Sequence, residues 1–140
     1  MGNRFEISVI SNNETQAFNN IDKAVAEIQR IEKLLTTFSN ESITYHINEN
    51  AGIKPVVVPK EVFDLISRCQ IISRISQGAF DISYGSIDKR FWNFDLEMLK
   101  LPDEEQAKKA VHLINYQNIL LNTDKLSVFL KEKGMRIGFG

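Results

Sequence analysis

Asn118-Ile119-Leu120-Leu121, the triplet Asn122-Thr123-Asp124, and Leu126-Ser127-Val128-Phe129-Leu130 form the stretch that decides the fold. Two short apolar runs flank a polar triplet whose Asn and Asp side chains favour turns, so the stretch reads as strand, turn, strand. A second turn is expected at Lys133-Gly134, followed by a third run, Met135-Arg136-Ile137. A meander of this kind makes antiparallel neighbours, because parallel neighbours need a long crossover.

Helical periodicity dominates upstream. From about residue 20 to 37, Ile21, Ala24, Val25, Ile28, Ile31, Leu35 and Phe38 recur at three- and four-residue steps. This predicts an amphipathic helix with one face in the core and Asn20 as its N-cap. A second helix is expected over residues 61–76. Its stripe is Val62, Ile66, Cys69 and Ile72, widened by Phe63, Leu65 and Ile75, and Gly78 ends it in a left-handed conformation. Pro102-Asp103-Glu104-Glu105 starts a third helix, running to about Leu113. Phe5, Ile7 and Val9 alternate with polar residues as in a half-buried strand, and Val56-Val57-Val58 between prolines is a short extended piece. Residues 39–52 lack a sustained period and read as a loop with one helical turn near Thr44. Strands and helices do not alternate strictly. The expected class is therefore α+β, a mixed or antiparallel sheet packed with two or three amphipathic helices, rather than a doubly wound parallel sheet.

Composition narrows the function. The 140 residues suit one domain, and 43% apolar residues suffice for a core. Seventeen basic and eighteen acidic side chains give a net charge of -1, so no basic excess draws in nucleic acid. No apolar run reaches membrane-spanning length. No signal peptide is visible, so the chain as given reads as cytoplasmic. The lone Cys69 falls on a helix's apolar side and is expected to be a buried, inert thiol. His46 and His112 have no Cys or carboxylate at metal-ligand spacing, and no phosphate-binding lysine loop or dinucleotide fingerprint occurs. The chain stops at Ile137-Gly138-Phe139-Gly140, directly after an expected strand, which suggests a truncated domain.

One segment stands out as a candidate ligand site: Gly78-Ala79-Phe80-Asp81-Ile82-Ser83-Tyr84-Gly85. Small residues let a ligand approach the backbone, whose N–H and C=O groups can read a nucleobase edge. Asp81 offers a carboxylate, and Phe80, Tyr84, Trp92 and Phe94 offer flat apolar walls. The plainer alternative is a helix cap beside core aromatics.

Six segments, in order, resemble one family. Met1-Gly2-Asn3-Arg4-Phe5 is similar to its opening Met-Gly-Thr-x-Phe. The helix end, residues 30–38, resembles the run into a variable position that is often Tyr or Asn. Asn40-Glu41-Ser42 and Ile47-Asn48 resemble its acidic-Ser and Leu-Asn positions. Residues 78–85 resemble Gly-Ala-Phe-Asp-Ile-Thr-x-Gly, and Trp92-Asn93-Phe94 resembles Trp-x-Phe. Gly134-Met135-Arg136-Ile137 resembles the strand leading into Asp-Leu-Gly-Gly-Ile-Ala-Lys-Gly. On these residues the chain resembles the N-terminal portion, residues 1–140, of a single FAD:protein FMN transferase (ApbE) domain. It departs from the pattern at Asn3, His46 and Gly138, where Thr, Arg and Asp are usual.

The resemblance implies an enzyme that moves FMN from FAD to a threonine of a target flavoprotein with a divalent cation, Mg2+. Its metal and catalytic residues would lie beyond Gly140. Family members are often exported and periplasmic. FAD contacts are implied at Met1, Phe38, Ala79, Phe80 and Asp81. The alternatives are a non-catalytic flavin-nucleotide-binding module and a magnesium-dependent FAD pyrophosphatase.

Overall fold

The computed structural model describes residues 4–87 and 103–139. Met1, Asn3 and the aromatic run at 91–94 lie outside them. Within them the architecture is α+β, with four α-helices and a three-stranded antiparallel sheet.

Helix α1 spans Glu14–Leu35 and starts earlier than the periodicity suggests. Asn13, not Asn20, is the N-cap: its side chain accepts from the Gln16 N–H at 2.9 Å. Glu14, Gln16 and Ala17 are good helix formers, so the helix needs no core face in its first turns. The expected face is there but shallow: Ile21, Ala24, Ile28, Ile31 and Leu35 are half-buried, and Val25 is exposed. No α1 residue is fully buried, and only its end, Leu34 and Leu35, packs against the core. Phe38 follows the helix and is 94% exposed, so it does not close a core face. Residues 5–10 form no strand, and Phe5, Val9 and Ile10 are exposed. Alternation alone does not make a strand; backbone pairing does, and this segment pairs with neither outer strand of the described sheet.

Helix α2, Ile43–Glu49, replaces half of the expected loop. Ser42 caps it, accepting from the Tyr45 N–H at 3.0 Å. Its buried face is Thr44, Ile47 and Asn48, two of the three polar, which explains the missing apolar signal.

Strand β1, Val56–Val57, leads through Pro59 into helix α3, Lys60–Ile75. Val62, Phe63, Ile66, Cys69 and Ser73 are buried. The stripe thus continues from Cys69 to Ser73, not Ile72. At 3.6 residues per turn, position 73 returns to the face of 62 and 66, whereas 72 lies about 100° away. Ile72 and Ile75 are exposed. Ser73 satisfies its buried hydroxyl by donating to the Cys69 carbonyl at 2.9 Å. Burial pushes the Cys69 thiol pKa up.

After α3 come a short 3-10 helix, Ile82–Ser86, and helix α4, Glu104–Val111, closed by an Asp103–Gln106 capping box. Strands β2, Ile119–Asn122, and β3, Ser127–Leu130, form the expected hairpin. The sheet order is β1-β3-β2, with Val56 opposite Val128 and Leu121 opposite Val128 on the other side. Gln70 of α3 donates to the Ile119 carbonyl and ties the helix to β2. The core gathers Ile47, Val62, Ile66, Ile119, Leu130 and Ile137 between helices and sheet. No described helix is long and apolar enough to cross a membrane.

Outside its packed end, α1 is fastened by charge. Arg30 forks onto Glu61 of α3 with two bonds of 2.8 Å and onto Glu27 with bonds of 2.8 and 2.9 Å. Hydrogen bonds from Arg30 hold the Glu27 and Glu61 carboxyls below the usual carboxylate range, and the guanidinium is held above its ordinary value. Depressed folded pKa values stabilise above the unfolded carboxylate range and are lost as pH falls through the folded values. The urea midpoints of the parent and Arg30→Ala should therefore differ most near neutrality and converge in acid. A gap unchanged at acid pH would contradict the network. Cys69 should react slowly with a thiol reagent in the native state and readily in urea. Rapid native labelling would contradict the burial of the α3 stripe.

Candidate functional site

The candidate segment begins where α3 unwinds. Gln77 and Gly78 both adopt left-handed φ, 53° and 86°, of which the second suits glycine. The Gly78 N–H returns to the Ser73 carbonyl at 2.8 Å, and the Ala79 N–H to the Ser76 carbonyl at 3.1 Å. The Phe80 N–H finds the Ser76 hydroxyl at 3.1 Å. These three N–H groups are therefore spent on the helix end. A ligand at this turn would meet carbonyl edges and side chains, not the N–H groups that a nucleobase-reading turn is expected to offer.

Asp81 is the junction of the segment. Its Oδ1 accepts from the Ser83 N–H at 2.8 Å and the Ser83 hydroxyl at 2.6 Å. Its Oδ2 accepts from the Tyr116 N–H at 2.8 Å. The Ser83 hydroxyl in turn accepts from the Asn115 N–H at 2.9 Å. One carboxylate thus caps the 3-10 helix and fixes the chain entering β2. Its signal was present in the sequence as Asp81-Ile82-Ser83, an Asx-turn pattern that periodicity does not detect.

Ala79, Phe80 and Asp81 are consecutive, and the first two face solvent, with Phe80 41% exposed. Tyr84, one turn on, is 48% exposed. Phe38 stands apart on the chain leaving α1, its N–H bonded to the Thr36 hydroxyl at 3.2 Å. Among the described residues no ring pairing joins Phe38 to Phe80 or Tyr84. His46 pairs edge-on with Tyr45 at 6.1 Å between ring centroids, and His112 Nδ1 lies 2.6 Å from the Lys109 carbonyl.

The turn's other neighbour is the segment after Gly134. Gly138 donates its N–H to the Ile82 carbonyl at 3.0 Å. A Cβ on Gly85 would stand 3.0 Å from the Arg136 carbonyl oxygen, so glycine permits this close approach. Separately, an open groove of about 330 Å³ runs between α1 and α3, lined by Ile31, Leu34, Leu35, Val62 and Leu65, and it shares no residue with the turn. The described residues contain no group of three His, Cys, Asp or Glu side chains placed to hold a metal ion. With both Asp81 oxygens occupied, a divalent cation finds no fitting donor set here.

This fold, with its fixed turn, has known counterparts. The ApbE family profile matches residues 1–140. The chain belongs to the ApbE family. It is 30% identical over its full length to an FAD:protein FMN transferase of Klebsiella pneumoniae, covering 43% of that protein. It is 25% identical over 86% of its length to the FAD:protein FMN transferase of Treponema pallidum, covering 34% of that one. Among solved structures it resembles the ApbE protein of Thermotoga maritima, with a TM-score of 0.77, 22% identity, and coverage of 91% of this chain and 41% of that one. The Pseudomonas stutzeri flavinyl transferase ApbE gives 0.69 at 20% identity, covering 85% and 37%. The chain spans less than half the length of these family members.

Replacing Asp81 by Ala should cost about 1.5–3 kcal/mol of unfolding free energy, the range for hydrogen bonds to a charged group. Urea denaturation measures it. An unchanged midpoint would show that the three bonds do not form in solution.

Proposed function

We propose that residues 1–140 are the N-terminal part of a single flavin-transferase domain, and that they bind FAD for transfer of FMN to a protein. The observation that carries this reading is the 78–81 turn. Its sequence matches the motif named above, and its hydrogen bonds fix Ala79 and Phe80 facing solvent. The family match across the whole chain supports the same reading.

The chemistry is phosphoryl transfer. A threonine hydroxyl of the acceptor flavoprotein attacks the FMN phosphorus of FAD. The pyrophosphate P–O bond breaks, AMP leaves with the bridging oxygen, and the hydroxyl proton passes to a base or solvent. Water in the acceptor's place would yield FMN and AMP. A divalent cation such as Mg2+ would offset the charge of the pyrophosphate, and this reading assigns its ligands to the part of the domain outside these residues. Within the chain, the task is to hold the nucleotide: Phe80 and Phe38 offer ring faces, Ala79 lets the ligand approach the backbone, and Asp81 fixes the turn. Met1 is the remaining proposed contact.

Titration of the protein into FAD, followed by flavin fluorescence, should show saturable binding that changes little when EDTA removes metal. Phe80→Ala and Phe38→Ala should each weaken binding by about 1–3 kcal/mol, if the rings stack on the ligand as aromatic side chains stack on bases elsewhere. Because Phe38 is almost fully exposed, its loss should leave the melting temperature unchanged. No binding by the parent, or binding indifferent to both substitutions, would overturn the assignment.

A further inference from the structure

Met135-Arg136-Ile137 is the third run of the expected meander, yet it joins no ladder with the described strands. Its backbone is held instead by side chains from elsewhere. The Asn48 amide of α2 donates through Nδ2 to the Ile137 carbonyl at 3.1 Å and accepts the Ile137 N–H on Oδ1 at 2.8 Å. The Ser86 hydroxyl donates to the Arg136 carbonyl at 3.0 Å and accepts the Arg136 N–H at 2.8 Å. Gly138 completes the set through the Ile82 carbonyl.

Each side chain imitates one peptide group of a neighbouring strand. A primary amide presents one donor and one acceptor edge to a single residue, and a hydroxyl can do both at once. Asn48 is 7% exposed and Ser86 is 9% exposed, so water does not readily replace either contact. All three anchors act on consecutive residues, and two of them, Ile82 and Ser86, belong to the 3-10 helix that Asp81 caps. The Tyr84 ring of the same helix lies over Gly138: a Cβ there would stand 3.5 Å from the phenol oxygen.

We propose that Asn48 and Ser86 are positioning residues of the flavin-nucleotide site, holding the 136–138 backbone against the Asp81-capped helix so that the turn and this segment form one wall. The role rests on the FAD reading above. Without the clamp, Arg136 and Ile137 would leave peptide groups unpaired and the helix would lose its support. The turn would then have to be ordered at the expense of ligand binding.

The test is Ser86→Ala against Ser86→Thr on the full chain, read by FAD affinity and by amide hydrogen exchange over residues 136–138. Ser86→Ala should weaken FAD binding by about tenfold, the scale of a lost hydrogen bond, and speed exchange at Arg136. Ser86→Thr keeps the hydroxyl and should restore both. A side chain that merely fills space would give the opposite order, because Ala fits and the added Thr methyl crowds. Should Ser86→Ala fail to fold, Asn48→Leu serves: it keeps volume, loses both donor and acceptor, and should weaken FAD binding and speed exchange at Ile137. Faster exchange with FAD affinity unchanged overturns the positioning role. Unchanged exchange overturns the clamp itself. Absence of FAD binding to the parent overturns the flavin reading and the role built on it, whereas parent binding with indifferent variants overturns only the role.

Discussion

The pairing of the Asn48 side chain with both backbone groups of Ile137 constrains the rest of this structure. It joins residues far apart in sequence inside the core, where an unsatisfied amide or peptide group costs roughly 1–3 kcal/mol. Once it forms, α2 can lie only against the segment leaving Gly134, and Ile47 and Ile137 are delivered to the same core. Ser86 repeats the device one residue earlier, on Arg136. Polar groups thereby specify a geometry that apolar burial, which has no direction, would leave open.

The 78–81 turn precedes the 3-10 helix that carries Ser86, and its own bonds fix it. It is held on one side by the last turn of α3, through Ser73 and Ser76, and on the other by Asp81 with Ser83 and Tyr116. What remains for a ligand is the exposed rim of Ala79 and Phe80 with Tyr84 nearby. Helix α1 contrasts with this. Its packed end and an exposed ion-pair network fasten it, and both its length and the apolar groove beside α3 stand apart from the turn.

The parts of the fold legible in sequence are those set by local pattern. The β2–β3 hairpin followed from two apolar runs about a turn-forming triplet, and α3 from the Val62–Ile66–Cys69 spacing. Segments governed by partners were less legible. Residues 5–10 alternate correctly but pair with neither outer strand of the described sheet, α1 extends on helix propensity with little burial, and Ile72 lost its place to Ser73 because the helical angle favours position 73. Helix α2 was expected only as one turn near Thr44, because its buried face includes Thr44 and Asn48, whose suitability depends on tertiary contacts. The family motif pointed to Ala79, Phe80 and Asp81 as a candidate site, but the occupation of the Asp81 carboxylate and of three N–H groups became visible only in the structure. Asn48 and Ser86 carried no catalytic signature, since their partners are backbone groups.

The most direct measurement of the central claim, that the turn and the 136–138 segment form one ligand wall, is a map of backbone amide shifts as FAD is added to the isotopically labelled protein. Perturbations are expected to fall together on residues 78–85 and 136–139, leaving Ile31, Val62 and Leu65 of the α1–α3 groove unmoved. Shifts centred on that groove, or confined to the turn with no response at 136–139, would contradict the claim.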